Sequence, residues 1–216
     1  MIAIVAGGTG LVGGHLCGEL AAKVPPGQIV ALVRQPSSAL PVTVQQRVCD
    51  FRQLDTLAPI AADSVFCALG TTNAKAGSPE AFRQVDYEAV LALGRFGRRC
   101  GARQFILISS VDASPRSSSL YLRVKGEAER DLALLGYPTL HIFRPSILIG
   151  GRPESRPGES LGIAFAKAIG WALIGPLKKY RGIDAGLVAR AAAQAPAAEG
   201  VHIHQYEEIA ALAAAR

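Results

Sequence analysis

An unbroken apolar run from Ile2 to Ala6, followed at once by a cluster of glycines, opens the chain. Similar runs recur at Ile29 to Arg34, Ser64 to Leu69, Phe105 to Ser109 and Thr139 to Phe143, with a weaker alternation over Val42 to Val48. Each reads as a strand. Between them lie stretches of helical spacing. The first runs from Leu11 to about Ala22 and is closed by Pro25, Pro26 and Gly27. A short one covers Leu54 to Ile60. A long one starts at Pro79 and ends near Cys100 and Gly101, and another spans Tyr121 to Leu135 and stops at Gly136. Strands alternating with helices predict βαβ units, and near-continuous apolar strands predict a parallel sheet buried on both faces. The expected fold is a doubly wound α/β sheet with helices on both sides.

After Gly150 the texture changes. The stretch to Ser160 is rich in Gly, Pro and Arg, and the rest reads as helix, loop, helix, a short strand from Val201 to His204 and a terminal helix. Residues 151–216 are too few for a separate domain of ordinary size. They are expected to form a small cap on the carboxyl edge of the sheet, within one domain of residues 1–216.

The first strand runs into Ala6-Gly7-Gly8-Thr9-Gly10-Leu11-Val12-Gly13. Gly7, Gly10 and Gly13 fit GxxGxxG, while Gly8, Gly10 and Gly13 also fit GxGxxG. In either reading one glycine makes the strand-to-helix turn, one lets backbone reach a pyrophosphate, and one lets helix and strand pack closely. The diphosphate would rest on free amides at the helix N-terminus, where the dipole favours an anion. This makes the domain Rossmann-type. A Walker loop is excluded, because Gly14 and His15 stand where Lys and Ser or Thr would be required. At the end of the second strand, where NAD sites place an acidic residue about 20 residues past the loop, this chain has Arg34. A guanidinium suits a ribose 2′-phosphate, which favours NADP(H) over NAD(H).

Tyr121-Leu122-Arg123-Val124-Lys125 is a YxxxK pattern, whose spacing of four puts both side chains on one helix face. Ser109 and Ser110 end a strand shortly before it. These groups can converge at the carboxyl edge, where open α/β sheets bind ligands. The types suit hydride transfer to a carbonyl. Tyrosine supplies the proton, but an ordinary phenol with a pKa of ~10 is a sluggish acid–base group near neutrality. A nearby ammonium corrects this. A serine hydroxyl donates to the developing oxyanion, and a nicotinamide carries the hydride. Either serine could be the donor.

Composition narrows the alternatives. The chain has 216 residues, 50% hydrophobic and 19% charged, which excludes wholesale disorder. Cys17, Cys49, Cys67 and Cys100 form no CxxC pair and read as reduced thiols of a cytoplasmic protein. The chain enters its first core strand at once, with no basic leader before it. Its most membrane-like stretch, Leu161 to Leu177, is broken by Gly162, Lys167, Gly170 and Gly175, and is short for a span. A net charge of +6 invites a nucleic-acid partner. However, the charges are scattered and no aromatic residues interleave with them, so they read as solvated faces. No metal site is expected: His202 and His204 share a strand face without a third ligand, and His15 and His141 have no evident partner. The serines lack GxSxG, and Asp184 reads as a helix start.

Several pieces together resemble the short-chain dehydrogenase/reductase superfamily in its extended or atypical branch. More closely, the chain is similar to the Tat-interacting-protein family of oxidoreductases. The pieces are Leu69-Gly70-Thr71-Thr72 with Lys75-Ala76-Gly77, Ile108-Ser109-Ser110, Tyr121 to Glu127, Phe143-Arg144-Pro145, and Glu154-Ser155-Arg156-Pro157-Gly158-Glu159. The resemblance implies that Gly7, Gly10 and Gly13 bind pyrophosphate beside the amides of Thr9, Leu11 and Val12. It puts Arg34 on the adenosine phosphate, Asp50 near the adenine, and Leu69, Gly70 and Thr71 beside the nicotinamide ribose. Lys125 would bind that ribose and tune Tyr121, Pro145 would close over the nicotinamide, and Ser110, aided by Ser109, would be the catalytic serine. One departure stands out: many superfamily members carry a helix asparagine for a proton relay, whereas this helix offers Val85-Asp86-Tyr87.

Two functions follow as expectations. One is an NADP(H)-dependent oxidoreductase acting on a small carbonyl or alcohol. The other is a dinucleotide-binding sensor or partner-binding module. The two long helices, Pro79 to Cys100 and Tyr121 to Leu135, could pair in a homodimer.

Overall fold

The computed structural model describes residues 1–150 and 173–215. Seven parallel strands form one sheet: β1 (Ala3–Ala6), β2 (Ile29–Val33), β3 (Gln45–Val48), β4 (Ser64–Cys67), β5 (Gln104–Ile108), β6 (Thr139–Phe143) and β9 (Gly200–His204). Their order is β3-β2-β1-β4-β5-β6-β9. The chain therefore winds outward from β1 in one direction and, after crossing back to β4, in the other. This is the doubly wound arrangement expected. The reversal between β1 and β4 opens a crevice at their carboxyl ends, where α/β sheets hold ligands. A separate two-stranded ribbon pairs β7 (Leu148–Ile149) with β8 (Ile183–Asp184).

Strand alternation divides the core in two. Ala3, Val5, Ile106 and Ile108 face one apolar cluster, whereas Ile4, Ala6, Phe105 and Leu107 face the other. Helix α1 (Leu11–Ala21) lies on the first face. On the second lie a 3-10 helix over Phe51–Thr56, α4 (Ala89–Arg99) and α5 (Leu120–Ala133). A short helix α2 (Asn73–Ala76) and α3 (Pro79–Arg83) precede α4. Cys17, Cys67 and Cys100 are buried as free thiols, and burial pushes Cys17 up to about 11.

Three expectations need revision. The predicted helix from Pro79 is interrupted by a π-turn at Gln84–Glu88. The weak strand from Val42 is shorter, because residues 42–44 form the turn leading into it. The described part of the tail is less a cap than part of the body. Helices α6 (Ala185–Ala193) and α7 (Tyr206–Ala214) complete the first core cluster, with Val188, Ala189 and Ile209 buried, and β9 extends the sheet. Asp184 does start α6, accepting from the amides of Gly186 and Leu187.

His141 has a partner after all. Its Nε2 lies 2.8 Å from the Pro196 carbonyl, which can only accept, so that nitrogen carries the proton. Its Nδ1 is then the acceptor for His204 Nε2–H, at 2.8 Å. The rings of His141, His202 and His204 stack together at the β6–β9 seam. No three-ligand metal cluster exists among the described residues.

Candidate active site

At the end of β1 the backbone turns through Gly7, whose φ of +83° favours glycine. Gly10 N–H closes the turn on Gly7 O at 2.9 Å. Helix α1 then passes so near that a Cβ on Gly13 would lie 2.0 Å from the Gly7 carbonyl oxygen. The glycine at 13 is therefore dictated by helix–strand contact. Gly10 caps α1 without a side-chain hydrogen bond, and the first turn carries no acidic residue. Thr9 and Gly10 are exposed, Leu11 is half-buried, and Val12 points into the core. Among the described residues, the mouth of α1 is left to backbone amides.

Across the crevice, β4 ends at Cys67 and the chain continues through Ala68, Leu69, Gly70 and Thr71. The Thr71 amide donates to Asp86 Oδ2 at 2.9 Å. Asp86 Oδ1 lies 2.8 Å from Lys125 Nζ. The carboxylate is fully buried, and Lys125 is 5% exposed. Burial alone would pull the Lys125 pKa down, but the Asp86 carboxylate and the Tyr121 phenol outweigh it and hold the ammonium above its ordinary value. Tyr121 sits one turn earlier on α5, half-buried against Phe82, with ring centroids 5.6 Å apart. A Cβ on Gly126 would lie 2.3 Å from the Ser114 carbonyl carbon, so a glycine after Lys125 lets α5 dock on the preceding loop.

The two serines part company. Ser109 follows the alternation of Phe105 and Leu107 onto the α5 side, where its hydroxyl donates to Glu129 Oε1. Glu129 also pairs with Arg144, whose Nε lies 3.1 Å from the same oxygen. Ser109 thus serves a buried polar network. Among the described residues, the Ser110 hydroxyl makes one long contact, 3.3 Å, to the Val111 carbonyl. Val111 N–H donates to Pro145 O at 2.9 Å, which brings Pro145 beside the serine loop. Asp112, with φ of +58°, accepts from Lys179 Nζ and Tyr180 Oη, at 2.6 and 2.7 Å. Lys179, then Tyr180, hold its carboxyl below the usual range.

At the carboxyl end of β2, Arg34 is exposed just past the strand. The Asp50 carboxylate is taken by the Arg52 side chain and amide, which lower its pKa. The motif Glu154 to Glu159 lies outside the described residues. Sequence reasoning noted Asp86 only as a missing asparagine; its partnership with Lys125 depends on the π-turn and had no local signal.

A family model described as NAD dependent epimerase/dehydratase family matches residues 3–131, more than half of the chain. The chain belongs to that family. Among its relatives, HTATIP2 of Rattus norvegicus is 44% identical over 124 residues, covering 56% of this chain and 51% of that protein. The mitochondrial protein fmp52 of Aspergillus fumigatus is 34% identical over 199 residues, covering 88% of this chain and 84% of that one. These relatives bear out the resemblance to the Tat-interacting-protein family. Among solved structures, the Thermus thermophilus UDP-glucose 4-epimerase in complex with NAD superposes with a TM-score of 0.70 at 19% identity, covering 99% of this chain and 82% of the other. MoeE5 in complex with UDP-glucose and NAD gives 0.67 at 18%, covering 99% and 81%. At such identities the likeness concerns the fold.

Proposed function

We propose that this protein is a nicotinamide-dinucleotide-dependent oxidoreductase that favours NADP(H) and acts on a small carbonyl or alcohol. The observation that carries the reading is the uncapped mouth of α1, walled by glycines at the topological reversal of the sheet. A Cβ built on Gly10 would already press on Gly7 O at 3.2 Å, so glycine lets the turn close tightly and, among the described residues, leaves the helix mouth to amides that suit a diphosphate. When bound, a nicotinamide would supply or accept the hydride. Thr9 to Gly13 would hold the diphosphate by their amides, and Arg34 would meet a 2′-phosphate. Leu69 to Thr71, Pro145 and Lys125 would border the nicotinamide ribose. Tyr121 would give its proton to the substrate oxygen, and Ser110 would donate to the same atom. Ser110 is the better donor because the Ser109 hydroxyl is engaged by Glu129.

The test is NADPH and NADH oxidation against a panel of aldehydes and ketones, with Tyr121→Phe alongside. The expected outcome is turnover that Tyr121→Phe abolishes while dinucleotide affinity stays nearly unchanged. Full turnover in that variant would remove the mechanism. One observation favours a second reading, a dinucleotide-binding sensor. The Lys125 charge is already matched by Asp86, so tight dinucleotide binding without turnover on any substrate would favour the sensor.

A further inference from the structure

The Lys125–Asp86 pair is unlike a lysine whose charge is free to act on its neighbour. The π-turn at Gln84–Glu88 widens the helix by one residue, and Asp86 within it is buried beneath Gly70 of the loop that follows β4. A Cβ on Gly70 would lie 3.3 Å from Lys125 Nζ and 3.4 Å from Asp86 Oδ1, which puts the pair against the backbone of the nicotinamide-side loop. Asp86 thereby ties three pieces together: the π-turn, the Thr71 amide and the lysine of α5.

We propose that Asp86 is a positioning residue that locks Lys125 and the Leu69–Thr71 loop into one unit, and that its carboxylate offsets the help Lys125 would give a phenolate at Tyr121. A lone ammonium in a site closed to water acts on the phenol as a full positive charge. With a carboxylate 2.8 Å from that ammonium, the phenol meets a dipole whose ends largely cancel. Among the described residues, the other ionisable groups about this site do not restore the balance. The Cys67 thiol, pushed up to about 12 by burial, stays neutral. Arg83 and Glu127, which join α3 to α5, are paired with each other. Asp112 in the serine loop is paired with Lys179.

The inference deepens the reading of Tyr121 and Lys125 as a reacting pair, yet its test needs neither cofactor nor substrate and can fail separately. The phenolate absorbance of the apoprotein is titrated with alkali, and the Tyr121 contribution is isolated by subtracting the matching Tyr121→Phe protein. Asp86→Asn keeps an oxygen for the Thr71 amide and removes only the charge. In that variant the Tyr121 phenolate signal should appear at lower pH than in the parent. Lys125→Gln leaves the carboxylate alone, so the signal should move to higher pH. The double variant Asp86→Asn/Lys125→Gln has neither charge and no uncompensated buried ion. Its signal should return close to the parent's, and it serves if a single variant fails to fold. A signal that does not move down in Asp86→Asn, or not up in Lys125→Gln, overturns the proposal. So does a double variant displaced from the parent as far as either single one.

Discussion

Acid should loosen the β6–β9 seam well before it unfolds the rest of the molecule, because the histidines there are built in as neutral rings. His204 is pulled down from 6.5 to about 4, by burial first and by the neighbouring His141 and His202 next. Burial, more than the rest, lowers His141 as well. Protonating His141 would set an N–H against the N–H of His204 at 2.8 Å and break that bond. A histidine whose pKa is depressed by folding binds fewer protons in the native state. Its stability contribution is therefore complete above about pH 6.5 and is lost as pH falls towards 4. At full strength the His204 displacement corresponds to ~3 kcal/mol. The ring is half-exposed, so screening by solvent reduces this to about 1–2 kcal/mol. The effect reaches the site through the Arg144 amide, which donates to His204 O at 2.8 Å, and through Arg144 to Glu129. The assay is urea unfolding between about pH 7.5 and 4.5, for the parent and for His204→Gln. Carboxylates titrate in both proteins, so the difference isolates the histidine. The variant should show a pH dependence flatter by about 1–2 kcal/mol. Identical pH dependence would refute the neutrality of the buried His204 ring.

Two more outcomes follow from the geometry. Gly13→Ala would set a methyl 2.0 Å from the Gly7 carbonyl, costing at least about 1–3 kcal/mol in overpacking and displacing the glycine turn; thermal unfolding and dinucleotide titration should both register it. Ser109→Ala removes a donor from the buried Glu129–Arg144 network and should cost about 1–3 kcal/mol of stability. Ser110→Ala should instead leave stability nearly intact and lower turnover by roughly 10²-fold. Melting curves and kinetics on the two variants separate the roles.

What the sequence disclosed and what it hid have physical reasons. The glycine turn was legible because part of its constraint is local: Gly13 must be glycine for its contact with Gly7, and Gly7 for its positive φ, although the Ala68 backbone, 2.4 Å from a Cβ on Gly7, adds a reason from across the crevice. YxxxK was legible because helical spacing alone puts Tyr121 and Lys125 on one face. Asp86 was hidden, since a π-turn leaves no mark in hydrophobic spacing, and the long helix from Pro79 was read as regular. The choice between Ser109 and Ser110 turned on which strand face each follows beyond β5 and on Glu129, 20 positions away. The histidine seam likewise joins residues 63 apart. The tail misled because β9 and α6 have the composition of ordinary elements, and nothing in them says that their partners are β6 and α1.

The account stands on backbone amides at the mouth of α1 receiving a dinucleotide. Calorimetric titration of the intact protein with NADPH, NADP, NADH and NAD tests this most directly. The expected result is saturable one-site binding, with the 2′-phosphorylated forms tighter, and its loss when Gly10 is replaced by a residue whose side chain fills that mouth. No heat of association with any of the four would contradict it.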